Sequence, residues 1–366
     1  MVLLSSLLGI AYTFVIGTFI KGIHNIKVVQ PKKNIELKTF SIVIALRNEA
    51  ENLENLFLSL EKLKYDSKKF EIIFVNDHSE DLSFTILKEF KNRREDLNIH
   101  ILNNKDIGKK EAVTTGVHKA QFEYILTTDA DCRVPSQWIH AYNTLLTKKQ
   151  YKYITGPVCI QQTSKFLDQF QFIEFLSLQG STIGSYANSL PFMSNAANSC
   201  FSKETFLSLN GYQGNNSVAS GDDIFLLEKI SKNNFQNIGY LNSSEAIVYT
   251  EPEATWKQLY FQKIRWAAKA TLYKNKIGIA IGSLVFAMNL ILVFLAFYDW
   301  RILSVLFVCK FMIDFILIKK TANFFKEKLH IGYVIVCSLC YPLFSTGIFI
   351  MSQLTSFEWN GRQLKK

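Results

Sequence analysis

The chain reads as an α/β domain with a mainly parallel sheet, set between segments long and apolar enough to cross a membrane. Three observations predict this. Short apolar runs alternate with helix-periodic stretches, uncharged stretches of spanning length flank that region, and acidic residues recur just beyond the apolar runs. The 366 residues are 48% hydrophobic and include 30 Phe, too apolar and too unevenly spread for an ordinary soluble domain.

Residues 1–20 carry no charge. A cleaved signal would show basic residues ahead of its apolar run and a small-x-small cleavage site; neither is evident, so residues 1–22 are expected to be a retained anchor. Residues 37–255 form the expected α/β domain. Ser41-Ile-Val-Ile-Ala-Leu46 is a buried-strand run, followed by an apolar-periodic stretch from Leu53 to Leu63. Glu71–Asn76 is a second strand, 82–95 a second helix and Ile99–Leu102 a short third strand. Lys110–Ala120 reads as helix and Tyr124–Thr128 as a fourth strand. Alternation of this kind implies parallel strands with helices on both faces, and functional residues then collect beyond the carboxyl ends of the strands. Glu49, Asp77, Asp129 and Asp131 all fall there.

Residues 256–276 mix aromatics with lysines, as an interfacial amphipathic helix does, and 165–183 reads as a second interfacial helix. Within 277–356, the stretch 277–298 is uncharged and 331–354 is interrupted only by Pro342. The shorter 302–318 carries Lys310 and Asp314 four apart, able to pair on one helical face. One N-terminal and about three C-terminal transmembrane helices are therefore expected, followed by a basic tail, 357–366. Lys21, Lys27, Lys32, Lys33 and Lys38 follow the first span, and Lys269, Lys274 and Lys276 precede the second, which places residues 21–276 in the cytoplasm. Four spans would leave Arg362, Lys365 and Lys366 outside, against the same rule; either 302–318 is not a simple span or the tail is an exception.

The net charge of +10 follows from these juxtamembrane lysines, which suit anionic lipid headgroups. No RNA-recognition signature or zinc finger points to nucleic acid. The six cysteines have no paired metal spacing and receive no role.

Several constellations carry chemistry. Asp129-Ala-Asp131 ends an apolar strand; residues two apart in extended chain face the same way, so both carboxylates could approach one divalent ion, or the pair could be a solvated loop and helix cap. Asp77 could hydrogen-bond a nucleotide base or ribose, or form an Asx turn or cap, with Asp81 also available as a cap. Gly108-Lys109 opens a helix whose amides and lysine attract phosphate, or is a solvated cap. Gly221-Asp222-Asp223 precedes an amphipathic stretch. Asp222 could cap that helix, while adjacent carboxylates suit base catalysis, with Asp223 the candidate base. Gln262, Arg265 and Trp266 fall on one helical face; membrane anchoring explains the neighbouring aromatics and lysines but not this spacing.

Taken in order over residues 40–270, these motifs resemble the family 2 inverting glycosyltransferases, in the membrane-integrated branch of cellulose, hyaluronan and poly-N-acetylglucosamine synthases and ceramide glucosyltransferases. Ser41–Glu49 is similar to the family's opening strand with its Asn-Glu, and Asn76-Asp77-His78-Ser79 to its Asp-Asp-x-Ser with Asn in first place. Gly108-Lys109 resembles the phosphate-side Gly-Lys, and Thr128–Asp131 the metal motif. Asn195–Tyr212 resembles the acceptor-side segment, with Ser202-Lys203 where paired arginines are usual. Gly221–Asp223 resembles the Glu-Asp base motif with Asp for Glu, and Gln262–Trp266 fits the Gln-x-x-Arg-Trp motif fully. Glu358–Arg362 is similar to a Trp-x-Gly-Arg near the end of some members.

The resemblance implies a single A-type glycosyltransferase (Rossmann-like) domain and a nucleoside-diphosphate sugar donor held by Glu49, Asp77, Lys109 and Asp129. It implies Mg or Mn on Asp129 and Asp131, Asp223 as base with Asp222 beside it, and Gln262, Arg265 and Trp266 at the diphosphate and acceptor. The expected activity is sugar transfer to a lipid or lipid-linked acceptor at the cytoplasmic membrane face. The alternative is a processive polysaccharide synthase, for which three downstream spans are a thin channel. A non-catalytic subunit that binds nucleotide sugar would tolerate loss of the base or a metal carboxylate, and none is lost. A nucleotide-cofactor oxidoreductase is disfavoured because Arg47–Glu51 contains no glycine for close pyrophosphate approach.

Overall fold

A computed structural model describes the backbone of residues 1–214, 221–233, 235–270, 273–354, 357–359 and 362–364; among these, the side chains of 233, 235, 269, 270 and of 357 onward are outside the description. Asn360, Gly361, Lys365 and Lys366, part of the terminal motif and basic tail, lie outside the described residues.

The elements run α1 (Val2–Asn25), β1 (Phe40–Leu46), α2 (Leu53–Leu60), β2 (Phe70–Asn76), α3 (Ser83–Arg93), β3 (Ile99–Asn103), α4 (Lys109–Lys119) and β4 (Tyr124–Thr127). They continue with β5 (Cys132–Arg133), α5 (Trp138–Lys148), β6 (Tyr153–Thr155), β7 (Val158–Ile160), α6 (Phe166–Ala187), β8 (Ser199–Ser202), α7 (Lys203–Ser208) and α8 (Asp222–Asn233). Then come β9 (Ile238–Tyr240), β10 (Val248–Thr250), α9 (Trp256–Ala270), α10 (Lys276–Tyr298), α11 (Trp300–Phe325) and α12 (Ile331–Leu354), with two short antiparallel strands, Phe357–Trp359 and Arg362–Leu364.

Two compact units result. One comprises Lys27–Cys159 and Ser194–Glu251, the other Met1–Ile26, Ile160–Met193 and Pro252–Lys366. By contact, α6 groups with the long apolar helices, against which its glycines pack.

The α/β unit is built on a seven-stranded sheet in the order β3-β2-β1-β4-β8-β6-β9. β3, β2, β1 and β4 are parallel; β8 runs antiparallel to both β4 and β6. A second, three-stranded sheet has the order β5-β10-β7. The mainly parallel α/β architecture expected from the sequence is present. Ile42, Val43 and Ile44 are all essentially inaccessible, so both faces are covered and the strand reads as a continuous apolar run. Phe74 and Val75 show how. The Phe74 ring meets Phe57 of α2 and Phe90 of α3, which stack on each other at 3.8 Å. On α4, Gly116 sits so close that an added Cβ would lie 2.5 Å from Val43 and 3.2 Å from Val75. Consecutive strand residues point to opposite faces, so α2 and α3 cover one face of β2 and α4 covers the other.

Asn198 ties the antiparallel side together. Its Oδ1 accepts from Trp138 Nε1 and Tyr142 Oη, both at 2.8 Å, and its Nδ2 donates to Pro157 O at 2.7 Å and Ala246 O at 2.8 Å.

In the helical unit, backbones approach through small residues. A Cβ on Gly184 would lie 2.4 Å from Phe19 Cα, one on Gly22 2.6 Å from Gly184 O, and one on Gly180 2.4 Å from Thr321 Oγ1. Gly180 and Gly184, four apart on α6, therefore seat α1 and α11 against one helix in the small-xxx-small manner of membrane helices. Three described helices are long and apolar enough to cross a membrane: α1, α10 and α12. The expectation of about three C-terminal spans becomes two by this measure. α11 has the length, but it carries Arg301, Lys310, Asp314, Lys319 and Lys320, and Lys310 pairs with Asp314 at 2.5 Å while Tyr12 donates to Asp314 at 2.8 Å.

Asn198→Ala should destabilise the α/β unit by about 3 kcal/mol, because it removes four hydrogen bonds from buried groups at once; a denaturation midpoint within error of wild type would contradict the hub. Gly184→Leu should lower the thermal midpoint of the detergent-solubilised protein far more than Gly17→Leu, since Gly17 has open space where a Cβ would stand.

Candidate functional site

The carboxyl ends of β1, β2 and β4 place their following residues at one edge of the sheet, because Leu46 pairs with Asn76 and Val43 with Thr127. From this edge the site is assembled. Asp77 is buried, and its carboxylate accepts from Gly108 N at 3.0 Å and from Asn104 Nδ2 at 2.9 Å. Asp77 thus grips the turn that starts α4, instead of forming an Asx turn or capping its own following helix. That second task falls to Asp81, which accepts from Ser83 N. His78 adopts a left-handed φ of 57°, consistent with a turn residue.

Gly108, with φ of 112°, turns the chain into α4 and delivers Lys109 to the acidic groups. Its ammonium lies 2.6 Å from Asp129 Oδ1 and 3.9 Å from Asp222 Oδ2. Burial alone would pull the Lys109 ammonium down, but Asp129 and then Asp222 and Asp223 hold it above its ordinary value, so it stays charged. Lys110 points elsewhere: it is buried over the Phe225 ring at 4.5 Å, fastening α4 to α8, and burial lowers it to about 8.

Asp131 is fixed by the second sheet. Thr250 of β10 stands opposite Cys132 of β5, and Thr250 Oγ1 donates to Asp131 Oδ2 at 3.1 Å. Burial first, and Asp129 second, raise the Asp131 carboxyl above the usual carboxylate range. Glu49 is raised to about 7 by burial, with Asp131 and Asp129 adding to the shift. Asp223 opens α8 beside Asp222, with its Oδ1 accepting from Ile224 N at 2.8 Å and Tyr153 Oη 3.5 Å from its carbonyl.

The fold therefore gathers Glu49, Asp129, Asp131, Asp222 and Asp223 around the ammonium of Lys109. Asp77 sits at the same edge in a supporting contact. Among the described residues, no three His, Cys, Asp or Glu side chains form a metal-holding group. The Asp129 and Asp131 pair nevertheless fits a divalent cation in kind: both are hard oxygen donors, and their mutual repulsion, visible in Asp131, is what a cation relieves.

Gln262, Arg265 and Trp266 belong to the helical unit, each half-buried on α9. Gln262 Nε2 donates to Glu253 Oε1 at 2.6 Å. Trp266 lies beneath Lys263 Nζ at 4.1 Å, and Lys263 pairs with the buried Glu174 of α6 at 2.5 Å. Sequence reading missed Thr250, Glu253, Glu174 and Lys263. The first three sit in unremarkable local contexts, and Lys263 was hidden inside the Gln262–Trp266 motif as its variable position.

Comparison with known proteins meets this geometry. The profile of glycosyl transferase family group 2 matches residues 124–344, over half of the chain, and that of glycosyl transferase family 2 matches residues 41–181. The chain belongs to glycosyltransferase family 2. Among curated relatives, a poly-beta-1,6-N-acetyl-D-glucosamine synthase of Staphylococcus aureus is 28% identical over 153 residues, covering 41% of this chain and 36% of the relative. The enzyme of the same name in Staphylococcus epidermidis is 30% identical over 151 residues, covering 40% and 34%. The glycosyltransferase thus spans only about a third of the length of the curated relatives it matches. A mannosyltransferase from Pyrobaculum calidifontis, solved with GDP-Man and Mn2+, is similar over 96% of this chain and 98% of its own, with a TM-score of 0.57 at 15% identity. That likeness shows a shared A-type glycosyltransferase fold.

The raised carboxyls make stability pH-dependent. Glu49 moves from the usual 4.5 to about 7, so its contribution is full below 4.5 and is lost as pH rises through 7. In chelator, the thermal midpoint should fall across this window, and Glu49→Gln should flatten the fall. A parallel profile for the variant would remove Glu49 from the cluster.

Proposed function

We propose that this family 2 glycosyltransferase moves a sugar from a nucleoside diphosphate sugar to a lipid or lipid-linked acceptor at the cytoplasmic face of the membrane, inverting the anomeric carbon. The observation that carries the reading is the convergence of Lys109, Asp129, Asp131, Asp222 and Asp223 at the strand ends of the α/β unit. The apolar helices α1, α10 and α12 and the basic residues flanking the first two support the membrane and its cytoplasmic face.

In this reading Asp223 accepts the proton of the acceptor hydroxyl as its oxygen attacks the anomeric carbon from the face opposite the diphosphate. Lys109 exchanges its contact with Asp129 for a donor phosphate. Asp129 and Asp131 would hold Mg or Mn, which when bound supplies positive charge against the departing diphosphate. Arg265 adds a fixed cation to the leaving group, Gln262 sets the helix face through Glu253, and Trp266 lines the acceptor side. The nucleotide-sugar and Mn2+ content of the mannosyltransferase structure and the names of the staphylococcal relatives are in keeping with such a donor and cation.

A second reading has one specific observation in its favour. The relatives matched at 28–30% identity are polysaccharide synthases, so a processive product is the competing outcome. Product analysis on reconstituted membranes separates the two: one sugar per lipid supports single transfer, and a polymer ladder supports synthesis of a glycan.

Asp223→Asn should lower turnover by about a thousandfold while leaving donor affinity within a few-fold, as read by equilibrium binding of the sugar nucleotide. Turnover near wild type would remove Asp223 from its role. Chelation should stop transfer and Mn or Mg restore it; full activity in chelator would refute the assignment of Asp129 and Asp131.

A further inference from the structure

The helical unit contains a cavity of about 220 Å³ between α6, α9, α10 and α12. Trp266, Phe286, Tyr341 and Phe344 give it an aromatic wall, and Asn289 and Ser345 give it polar spots inside two helices long and apolar enough to span a membrane. Asn289 is fully buried. Its Nδ2 donates to Val285 O at 2.9 Å, but its Oδ1 has no partner among the described residues, and neither does the buried Ser345 Oγ. Buried acceptors left unpaired cost stability, and few survive in a fold without a reason. Both line the cavity, so a ligand placed there would meet them.

The charge of the cavity narrows the ligand. Its lysine, Lys263, is already held by Glu174 at 2.5 Å and lies over Trp266, so the wall is neutral overall. A phosphate would find no spare cation in that wall and would face the Glu174 carboxylate. Asn289 Oδ1 can only accept, so the ligand must bring a donor, which a phosphate dianion lacks and a hydroxyl has. The volume is below the roughly 300–1,000 Å³ of sites that enclose a whole drug-sized ligand, and suits a glycerol-sized head with the first methylenes of its chains.

We infer that this cavity binds an uncharged, hydroxyl-bearing lipid of the diacylglycerol kind, its hydroxyl donating to Asn289 with Ser345 alongside and its chains leaving between α10 and α12. The inference goes beyond the lipid-acceptor reading: the lipid held here is a neutral alcohol and not a polyprenyl phosphate, and its hydroxyl is engaged by Asn289 and not offered to Asp223.

The test is photolabelling of the full-length protein in phosphatidylcholine nanodiscs with dioleoylglycerol bearing a diazirine in one acyl chain. Labelled peptides should map to α10 and α12, and unlabelled dioleoylglycerol should compete at least tenfold better than undecaprenyl phosphate. Asn289→Leu removes the acceptor without leaving a hole. Gly282→Leu fills the cavity from a position where an added Cβ meets nothing within 4 Å. Each should cut labelling at least fivefold with no fall in the thermal midpoint. Labelling confined to other segments, unchanged labelling in both variants, or equal competition by undecaprenyl phosphate would overturn the site. Sugar transfer to lipid without labelling here sinks this inference alone; labelling here without transfer to any lipid sinks the acceptor reading and leaves the binding site standing.

Discussion

Crowded negative charge at the carboxyl ends of parallel strands is the constraint on which the α/β unit depends. Glu49, Asp129, Asp131, Asp222 and Asp223 come from three separate regions of sequence and meet around the ammonium of Lys109. Burial first, and the like charges of their neighbours after it, raise the Glu49 and Asp131 carboxyls. The arrangement persists because every group is held from behind. Asp77 binds the amide of Gly108 and so sets where α4 begins, Thr250 holds Asp131, and Lys110 over Phe225 fastens the helix that begins with Asp222 and Asp223. Such a cluster favours positive charge at its centre, which Lys109 supplies.

The sheet supplies the stiffness. Phe57, Phe74 and Phe90 close one face of β2 and the Gly116 contact closes the other, so the strand ends cannot shift without opening a packed core. On the antiparallel side Asn198 uses both its oxygen and its amide on buried partners, joining α5 to the segments around Pro157 and Ala246. A buried amide so fully satisfied specifies one arrangement in a way that apolar packing alone does not.

The helical unit solves a different problem. Close approach through Gly22, Gly180 and Gly184 and internally paired charges hold its helices together, the devices that suit helices long and apolar enough to span a membrane. Lys310 with Asp314 and Tyr12, and Lys263 with Glu174, neutralise every charge that these pairs bring into the bundle. Among the described residues, the oxygens of Asn289, Ser345 and Thr346 are left over, and the first two face the cavity.

The strands, their order of appearance, and the position of Glu49, Asp77, Asp129 and Asp131 past strand ends were legible in residue order alone. A period-two or continuous apolar run and a polar break are local properties, and each is written in a few adjacent residues. The helices long and apolar enough to span a membrane, α1, α10 and α12, were legible for the same reason; the spacing of Lys310 and Asp314 gave their pairing, while the status of α11 was ambiguous because a fourth span put the basic tail on the disfavoured side. The tertiary structure alone decided that α6 leaves the α/β unit for the helices, that Asp77 supports α4, and that Thr250, Glu174 and Lys263 have partners far away in sequence. Such pairings depend on which distant segments share space. That is settled by the summed packing of whole elements, and no local pattern encodes it.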